Sequence, residues 1–460
     1  MKILLHCDDR RRDAVTMWLL RDALSALGHQ VLVCSRPTLR KYDRWFDPDV
    51  LVLSHVFTYG GAEELERKAR HAKVCVLPTE GATLSRGSRL TSYSGLRLHT
   101  PRRNALTQWV SRVFIWGEAT GRALIEEGLY QPSQVVVTGC PRFDLYRSAL
   151  FRKTKQAASP RIGALGDFPT FNPFDQRNPL LLIDQVRHEQ GIYYDEDKDL
   201  EDLFWLQYAQ FRLMLELMEL ATTRHHLPVD YRPHPFECIR NYRFLRPRLG
   251  KSFTLEQGAT PFFLWLARSA AMAVTSSSAV VEAFITGIPA VTLQPLLDPR
   301  RAQHMNLPDF CHPMLSACHR PASLDEAVDL LKQALDGTLA PTDVTQPEVA
   351  AFLKAFYDWP RHEPSVITIA RAIDRLTSET VNGARPQRAL PRADAMTTLG
   401  LWALNSALWC RYGFLEPSPV HRHNHWYPWH GSDRRLAQRV SDQFEGGIDA
   451  NRACDSAGVR

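Results

Sequence analysis

Short, nearly all-apolar runs recur along this chain at residues 2–7, 31–34, 50–53, 74–77, 113–116 and 135–138, with helical stretches such as 62–72 and 120–127 between them. A brief run that is apolar on both faces suits a parallel strand, and parallel strands need a crossover segment between them, usually a helix. The first repeat is legible in detail. After the strand at 2–7, Asp13 is placed to cap a helix with apolar positions Val15, Trp18, Leu20, Leu24 and Leu27, and Gly28 ends it before the chain re-enters the sheet at Val31. The pattern predicts an α/β fold, a parallel sheet covered by helices on both faces.

The pattern then repeats. Residues 147–160 are charged, poor in core positions and end in Ser159-Pro160, so they read as a linker between a first domain at 1–150 and a second at 151–378. The second series starts with a strand at 161–165. It runs through a long helix at 203–223, strands at 228–231, 252–255 and 271–274, and closing helices at 324–335 and 365–376. A chain of 460 residues, 44% hydrophobic, can bury two such cores. Residues 379–460 are richer in Arg, Pro, His and Trp and read as a C-terminal extension. Within it, 394–409 carries Met396, Leu399, Leu401, Trp402, Leu404 and Leu408. This segment is too short to span a bilayer but suited to lie on the protein's own surface, a partner or a membrane interface. An uninterrupted apolar stretch of about 18 residues is absent, as is a signal-peptide pattern. The expectation is a cytoplasmic protein, with the inner face of the membrane as a possible location.

Charge and cysteine usage narrow the classes further. A net charge of +6 spread over this length, without a recognisable nucleic-acid motif, argues against a nucleic-acid partner and suits anionic small molecules. The nine cysteines include no CxxC pair, which fits reduced thiols. Cys311-His312 and Cys318-His319 lack zinc spacing, and the His-, Trp- and Tyr-rich tail at 421–429 lacks regular spacing, so no metal is expected.

Two segments carry the chemistry. SSSAVVEAFITGIPAV at 276–291 follows an apolar strand and reads as strand, serine turn, helix and glycine stop. Hydroxyls of Ser276, Ser277 and Ser278 beside the unpaired amides of a helix N-terminus make a phosphate site. Glu282, one turn on, is placed to accept from ribose hydroxyls. The bland alternative is a serine-capped helix with a solvated glutamate. In RPHP at 232–235, Pro233 and Pro235 stiffen the backbone around His234 to form a donor-phosphate site; Arg232 is a permanent cation suited to phosphate and His234 a donor of a hydrogen bond or a proton. Alone, it could equally be a rigid structural loop.

Together with VTGCPRFDLY at 137–146 and LPTEGA at 77–82, these segments resemble a known family over residues 1–375. The TGxPRxD pattern is similar to that of bacterial surface-polysaccharide and CDP-glycerol-type transferases, and SSSxxxEAxxxGxP resembles the donor-binding helix of GT-B glycosyltransferases. RPHP resembles the His-Pro motif of CMP-sugar transferases. The set resembles bacterial surface carbohydrate biosynthesis proteins of capsule and lipopolysaccharide assembly, to which retaining β-Kdo transferases are related. The resemblance implies a GT-B fold, two Rossmann-like domains facing a central cleft. It also implies CMP-β-Kdo as donor substrate rather than a separate cofactor, a glycan or lipid-linked glycan as acceptor, and contacts from His234 and the serines to the cytidine phosphate.

Glycosyl transfer needs one group to capture or stabilise the oxocarbenium-like centre and another to handle the acceptor proton. Asp167, just past the strand at 161–165, is the candidate nucleophile for double displacement with retention; Glu80, past the strand at 74–77 and beside Gly81, is the candidate base. Either could instead be a turn carboxylate. Asp144 is read as structural, bonding Arg142 or the linker. Arg10, Arg11 and Arg12 either meet an anionic acceptor or form a solvated loop. The alternatives are a CDP-polyol phosphotransferase, a UDP-sugar 2-epimerase on the same two-domain plan, or a non-catalytic nucleotide-binding scaffold of a polysaccharide assembly complex.

Overall fold

The computed structural model describes residues 1–79, 106–174, 176, 198–256, 260–297, 313–378, 435–436 and 438–440. Glu80, Gly81 and Ala82 of LPTEGA, Cys311 and His312, and the segments 394–409 and 421–429 lie outside the described residues.

The first sheet contains β1 (Lys2–Cys7), β2 (Gln30–Ser35), β3 (Val50–Leu53), β4 (Lys73–Val76), β5 (Arg112–Ile115) and β6 (Val135–Val137), all parallel, in the order β2-β1-β3-β4-β5-β6. It is connected by α1 (Arg10–Ala26), α2 (Leu39–Phe46), α3 (Ala62–Ala69) and α4 (Glu118–Glu126). After α5 (Ala149–Ala157) comes a second parallel sheet, ordered β11-β10-β7-β8-β9. Its strands are β7 (Arg161–Leu165), β8 (Val229–Arg232), β9 (Phe253–Leu255), β10 (Ser269–Val274) and β11 (Ala290–Thr292). The helices here are α6 (Lys198–Glu219), α7 (Leu245–Leu249), α8 (Phe262–Leu266), α9 (Val280–Ile285), α10 (Leu324–Leu335), α11 (Pro347–Tyr357) and α12 (Ser365–Ser378).

Strand periodicity sorts the apolar residues into layers. Ile3 and Leu5 of β1 face a central core, whereas Leu4 faces the outer core with Leu51, Leu53 and Val74. The second sheet likewise sends Met272 and Val274 inward and Ala271 and Ala273 outward, the latter packing with Phe211, Met214 and Met218 of α6. The central core is shared by both halves because α11 and α12 return to the first domain. Ile369, Ile373 and Leu376 of α12 join Trp18, Leu20 and Leu24 of α1. Tyr357 stacks on Phe143 with ring centroids 5.1 Å apart, and His29 meets Asp374 at 3.0 Å.

Four local expectations change. Helix α1 begins at Arg10, and its cap is Asp9: Asp9 Oδ1 accepts from Arg12 N (3.1 Å), while Asp13 Oδ2 accepts from Asp9 N (3.2 Å). Asp13 lies in the first turn and reaches back, a reciprocal box that two carboxylates close as well as one. Residues 149–157, read as linker, are helical because Ser148 accepts from Phe151 N (3.2 Å) and Leu150 and Phe151 find the central core. Helix α9 has only six residues and starts at Val280, after the serines; Ala279 occupies its N-cap without a side-chain bond. Asp144 is structural as expected, but with a different partner. Its two oxygens accept from Ser365 N (3.0 Å) and Val366 N (2.9 Å), anchoring the start of α12.

Candidate functional site

The order in which successive strands are added reverses at one place in each sheet, between β1 and β3 in the first and between β7 and β10 in the second. In open α/β sheets the loops leaving the carboxyl ends of the strands diverge at such a reversal, and the crevice between them is the usual ligand position. Asp167 follows β7 and Ser276 follows β10, so both flank the reversal of the second sheet, and Ser276 Oγ donates to Asp167 Oδ2 at 3.1 Å. Two residues 109 positions apart are thus brought together by sheet order alone. Ser276 is buried, Ser277 half-buried and Ser278 exposed, so the serine turn runs from the interior to the surface; Ser277 Oγ accepts from Ala279 N at 3.2 Å.

His234 leaves the end of β8, the neighbour of β7, in a turn where Pro235 is half-buried. Phe236 N donates to His234 Nδ1 at 3.2 Å, which in the neutral ring places the proton on Nε2 and makes that nitrogen the donor. Arg232 is buried. Its Nη1 donates to the Thr260 carbonyl at 2.7 Å, and its guanidinium lies over Phe262 and Trp265 at 5.6 and 5.8 Å from the ring centroids. One arm of the fork expected to meet phosphate thus holds the loop before α8.

Glu282 also has protein partners. It lies 3.5 Å from Arg142 Nε and is hydrogen-bonded by Tyr146, both from the PRFDLY segment of the first domain, and Arg142 in turn lies over Trp116 at 5.1 Å. Burial pushes the Glu282 carboxyl up, opposed by Arg142, the Tyr146 hydroxyl, Arg12 and Arg232. The residue expected to receive ribose is, in this structure, part of a contact between the two domains.

The reversal of the first sheet carries its own polar set. Arg12 Nη2 meets Asp8 at 3.2 Å, His55 Nε2 meets Asp8 at 3.7 Å, and His6 Nδ1 shares a hydrogen bond with Ser54 Oγ at 2.7 Å. The His55 contact first, then the Arg12 and His6 charges, hold Asp8 well below the usual carboxylate range against its burial. Arg12, one of the three arginines expected either to meet an anionic acceptor or to form a solvated loop, sits in the first turn of α1 and pairs with Asp8 and Asp13.

A residue absent from the sequence reading lies between the two expected groups. Glu237, 1% exposed, accepts through Oε1 from Phe168 N (3.0 Å) and His234 N (2.9 Å), and through Oε2 from the Tyr242 hydroxyl. Burial pushes its carboxyl up to about 7, with the Asp167 charge adding to the rise and the three donors opposing it. The one sequence signal for it was its place three residues past the histidine in RPHPFE, where a carboxylate can fold back on the turn. Among the described residues no cluster of His, Cys, Asp and Glu suits a metal ion, and no helix is long and apolar enough to cross a membrane.

No protein-family model matches this sequence, and no curated protein does. Solved structures do match. The wall teichoic acid polymerase TagF is 9% identical, with TM-score 0.51 over 83% of this chain and 90% of that one. The UDP-GlcNAc 2-epimerase of Methanocaldococcus jannaschii, in complex with UDP-GlcNAc and UDP, is 11% identical, with TM-score 0.45 over 82% of this chain and 100% of that one. The UDP-GlcNAc 2-epimerase of Neisseria meningitidis, bound to UDP-GlcNAc, is 13% identical, with TM-score 0.45 over 83% of this chain and 100% of that one. At these identities the likeness is one of fold: α/β, with two Rossmann-like domains in the GT-B arrangement.

Proposed function

We propose that this chain is a nucleotide-sugar-dependent glycosyltransferase of bacterial surface polysaccharide biosynthesis, acting at the cytoplasmic face of the membrane. Its donor in this reading is a CMP-activated acidic sugar, Kdo or a related ulosonic acid, and its acceptor a glycan or lipid-linked glycan. The observation that carries the reading is the meeting of Asp167 and Ser276 at the reversal of the second sheet, beside a histidine whose Nε2 is the donor nitrogen.

In the first step a carboxylate oxygen of Asp167 bonds to the anomeric carbon as the bond from that carbon to the phosphate oxygen breaks, and CMP leaves with the electron pair. His234 and the hydroxyls of Ser276, Ser277 and Ser278 stabilise the phosphate charge that develops. Arg232 adds positive potential from behind. In the second step the acceptor hydroxyl displaces Asp167 and its proton passes to Glu80, giving net retention. Glu282, held by Arg142, relates the donor domain to the first domain, where the acceptor binds.

Intact-protein mass spectrometry after incubation with CMP-β-Kdo tests this. A sugar adduct on the wild type that is lost in Asp167→Ala supports the nucleophile. Release of CMP without any adduct refutes the covalent step. If neither protein gains mass nor releases CMP, the donor assignment falls, and turnover of CDP-polyols or UDP-sugars then separates the phosphotransferase and epimerase alternatives from a non-catalytic scaffold.

A further inference from the structure

We propose that Glu237 is the positioning residue of this cleft, a buried carboxylate that ties the turn carrying Asp167 to the turn carrying His234 and so sets the spacing between them. The proposal rests on the reading of Asp167 and His234 as the reacting and phosphate-stabilising groups, and it deepens that reading.

Four features support it. The same oxygen, Oε1, accepts from Phe168 N, the amide directly after Asp167, and from His234 N itself, at 3.0 and 2.9 Å. One atom therefore restrains both turns, and neither can move without breaking a bond to a carboxylate, buried at Phe168 and part-buried at His234. The other oxygen is fixed by Tyr242, whose ring packs edge-on against Tyr231 at 5.3 Å, so the carboxylate has little rotational freedom. Gly166, directly before Asp167, supplies the room: a Cβ there would stand 2.8 Å from Glu237 Oε1. Finally, the two segments are zipped beyond the carboxylate. Phe174 N donates to Phe236 O (2.9 Å), Cys238 N to Asn172 O (3.0 Å) and Asn172 Nδ2 to Cys238 O (3.1 Å). This pairing keeps the chain folded at the far end when the carboxylate is altered, so the tie can be tested separately from folding.

The experiment uses the full chain as wild type, Glu237→Ala, Glu237→Gln, His234→Ala and the Glu237→Ala/His234→Ala pair. Hydrogen exchange is read first and needs no substrate. In Glu237→Ala the amides of Phe168 and His234 lose protection together, by about tenfold or more, while Cys238 stays protected. Loss at one amide only, or at neither, overturns the tie. Donor turnover is read second. Misplacement of a reacting group by about 1 Å costs up to about 100-fold, so kcat in Glu237→Ala falls by about 10- to 100-fold with KM for the donor within about twofold.

Glu237→Gln keeps a carbonyl oxygen for both amides and recovers part of the loss. In the His234→Ala background the further loss on Glu237→Ala shrinks, because one of the groups it places is already gone. Fully additive losses overturn the positioning role, as does an equal fall in kcat and rise in KM. If the wild type turns over no nucleotide-activated donor, the proposed transferase activity fails while the exchange result still decides the tie.

Discussion

Gly166 offers a direct test of how tightly the turn after β7 is packed. A methyl group there would stand 2.6 Å from Tyr231 Oη, 2.8 Å from Glu237 Oε1 and 3.1 Å from Pro233 Cα. Its backbone lies outside the left-handed region, so an alanine is resisted by contact alone. Ordinary contact begins near 3.4 Å, which requires Tyr231 and Glu237 to retreat by about 0.8 and about 0.6 Å. Neither has space to do so, being 0% and 1% exposed. Overpacking of this kind costs about 1–3 kcal/mol, and drawing Glu237 off one of its buried amides adds about 1–3 kcal/mol, so Gly166→Ala is expected to destabilise the second domain by about 3 kcal/mol.

For a unit of that size the midpoint of thermal unfolding then drops by about 6–12 °C. Equilibrium urea unfolding, followed by tryptophan fluorescence and circular dichroism with coincidence of the two probes checked, measures the free energy. Gly61→Ala is the control, since nothing lies within 4 Å of its added methyl. Adding Tyr231→Phe to Gly166→Ala removes the nearest atom and restores about 1 kcal/mol. A Gly166→Ala protein within about 0.5 kcal/mol of both wild type and Gly61→Ala refutes the packing described here.

Two further outcomes follow from buried charge. The Glu237 carboxyl, raised to about 7 in the folded state, holds its proton more tightly there than in the unfolded chain. Its protonation thus adds stability that is fully present below the ordinary carboxylate range and is lost as pH rises through about 7. The unfolding midpoint of Glu237→Gln therefore declines less between pH 5 and pH 8 than that of the wild type, and parallel curves sink the assignment. Arg142→Met leaves the buried Glu282 without its cation, which costs about 3 kcal/mol by urea unfolding, whereas the Arg142→Met/Glu282→Gln pair recovers at least half. Equal losses in the single and double variants contradict the pairing.

Local rules read from the chain placed most strands and the ends of several helices. Apolar runs of strand length, Gly28 after α1 and Gly287 after α9 act through the backbone and need no distant partner; Gly28 and Gly287 do adopt the left-handed conformation, with φ 88° and 62°. The same local logic put Asp167, His234 and the three serines at strand ends, and strand ends at a sheet reversal are where a cleft opens. Where local rules competed, folding context chose. Residues 149–157 are polar enough for a linker, yet Leu150 and Phe151 become a helix face once the central core exists to receive them.

Partner choice was not legible. A carboxylate has the same chemistry whether it caps a helix, braces a turn or meets a ligand, and what separates these roles is which donors the completed fold brings near it. Asp144 meets amides 221 and 222 positions away, Glu237 meets one 69 positions away, and Glu282 meets Arg142 across the two domains. The sequence by itself determined the alternation of strands and helices, the two-domain α/β plan and the placing of Asp167, His234 and the serines at strand ends, because these follow from side-chain periodicity and backbone restriction along the chain. Only the tertiary structure decided which acids brace the fold and which partners they meet, because that depends on sheet order and on the return of α11 and α12 onto the first domain.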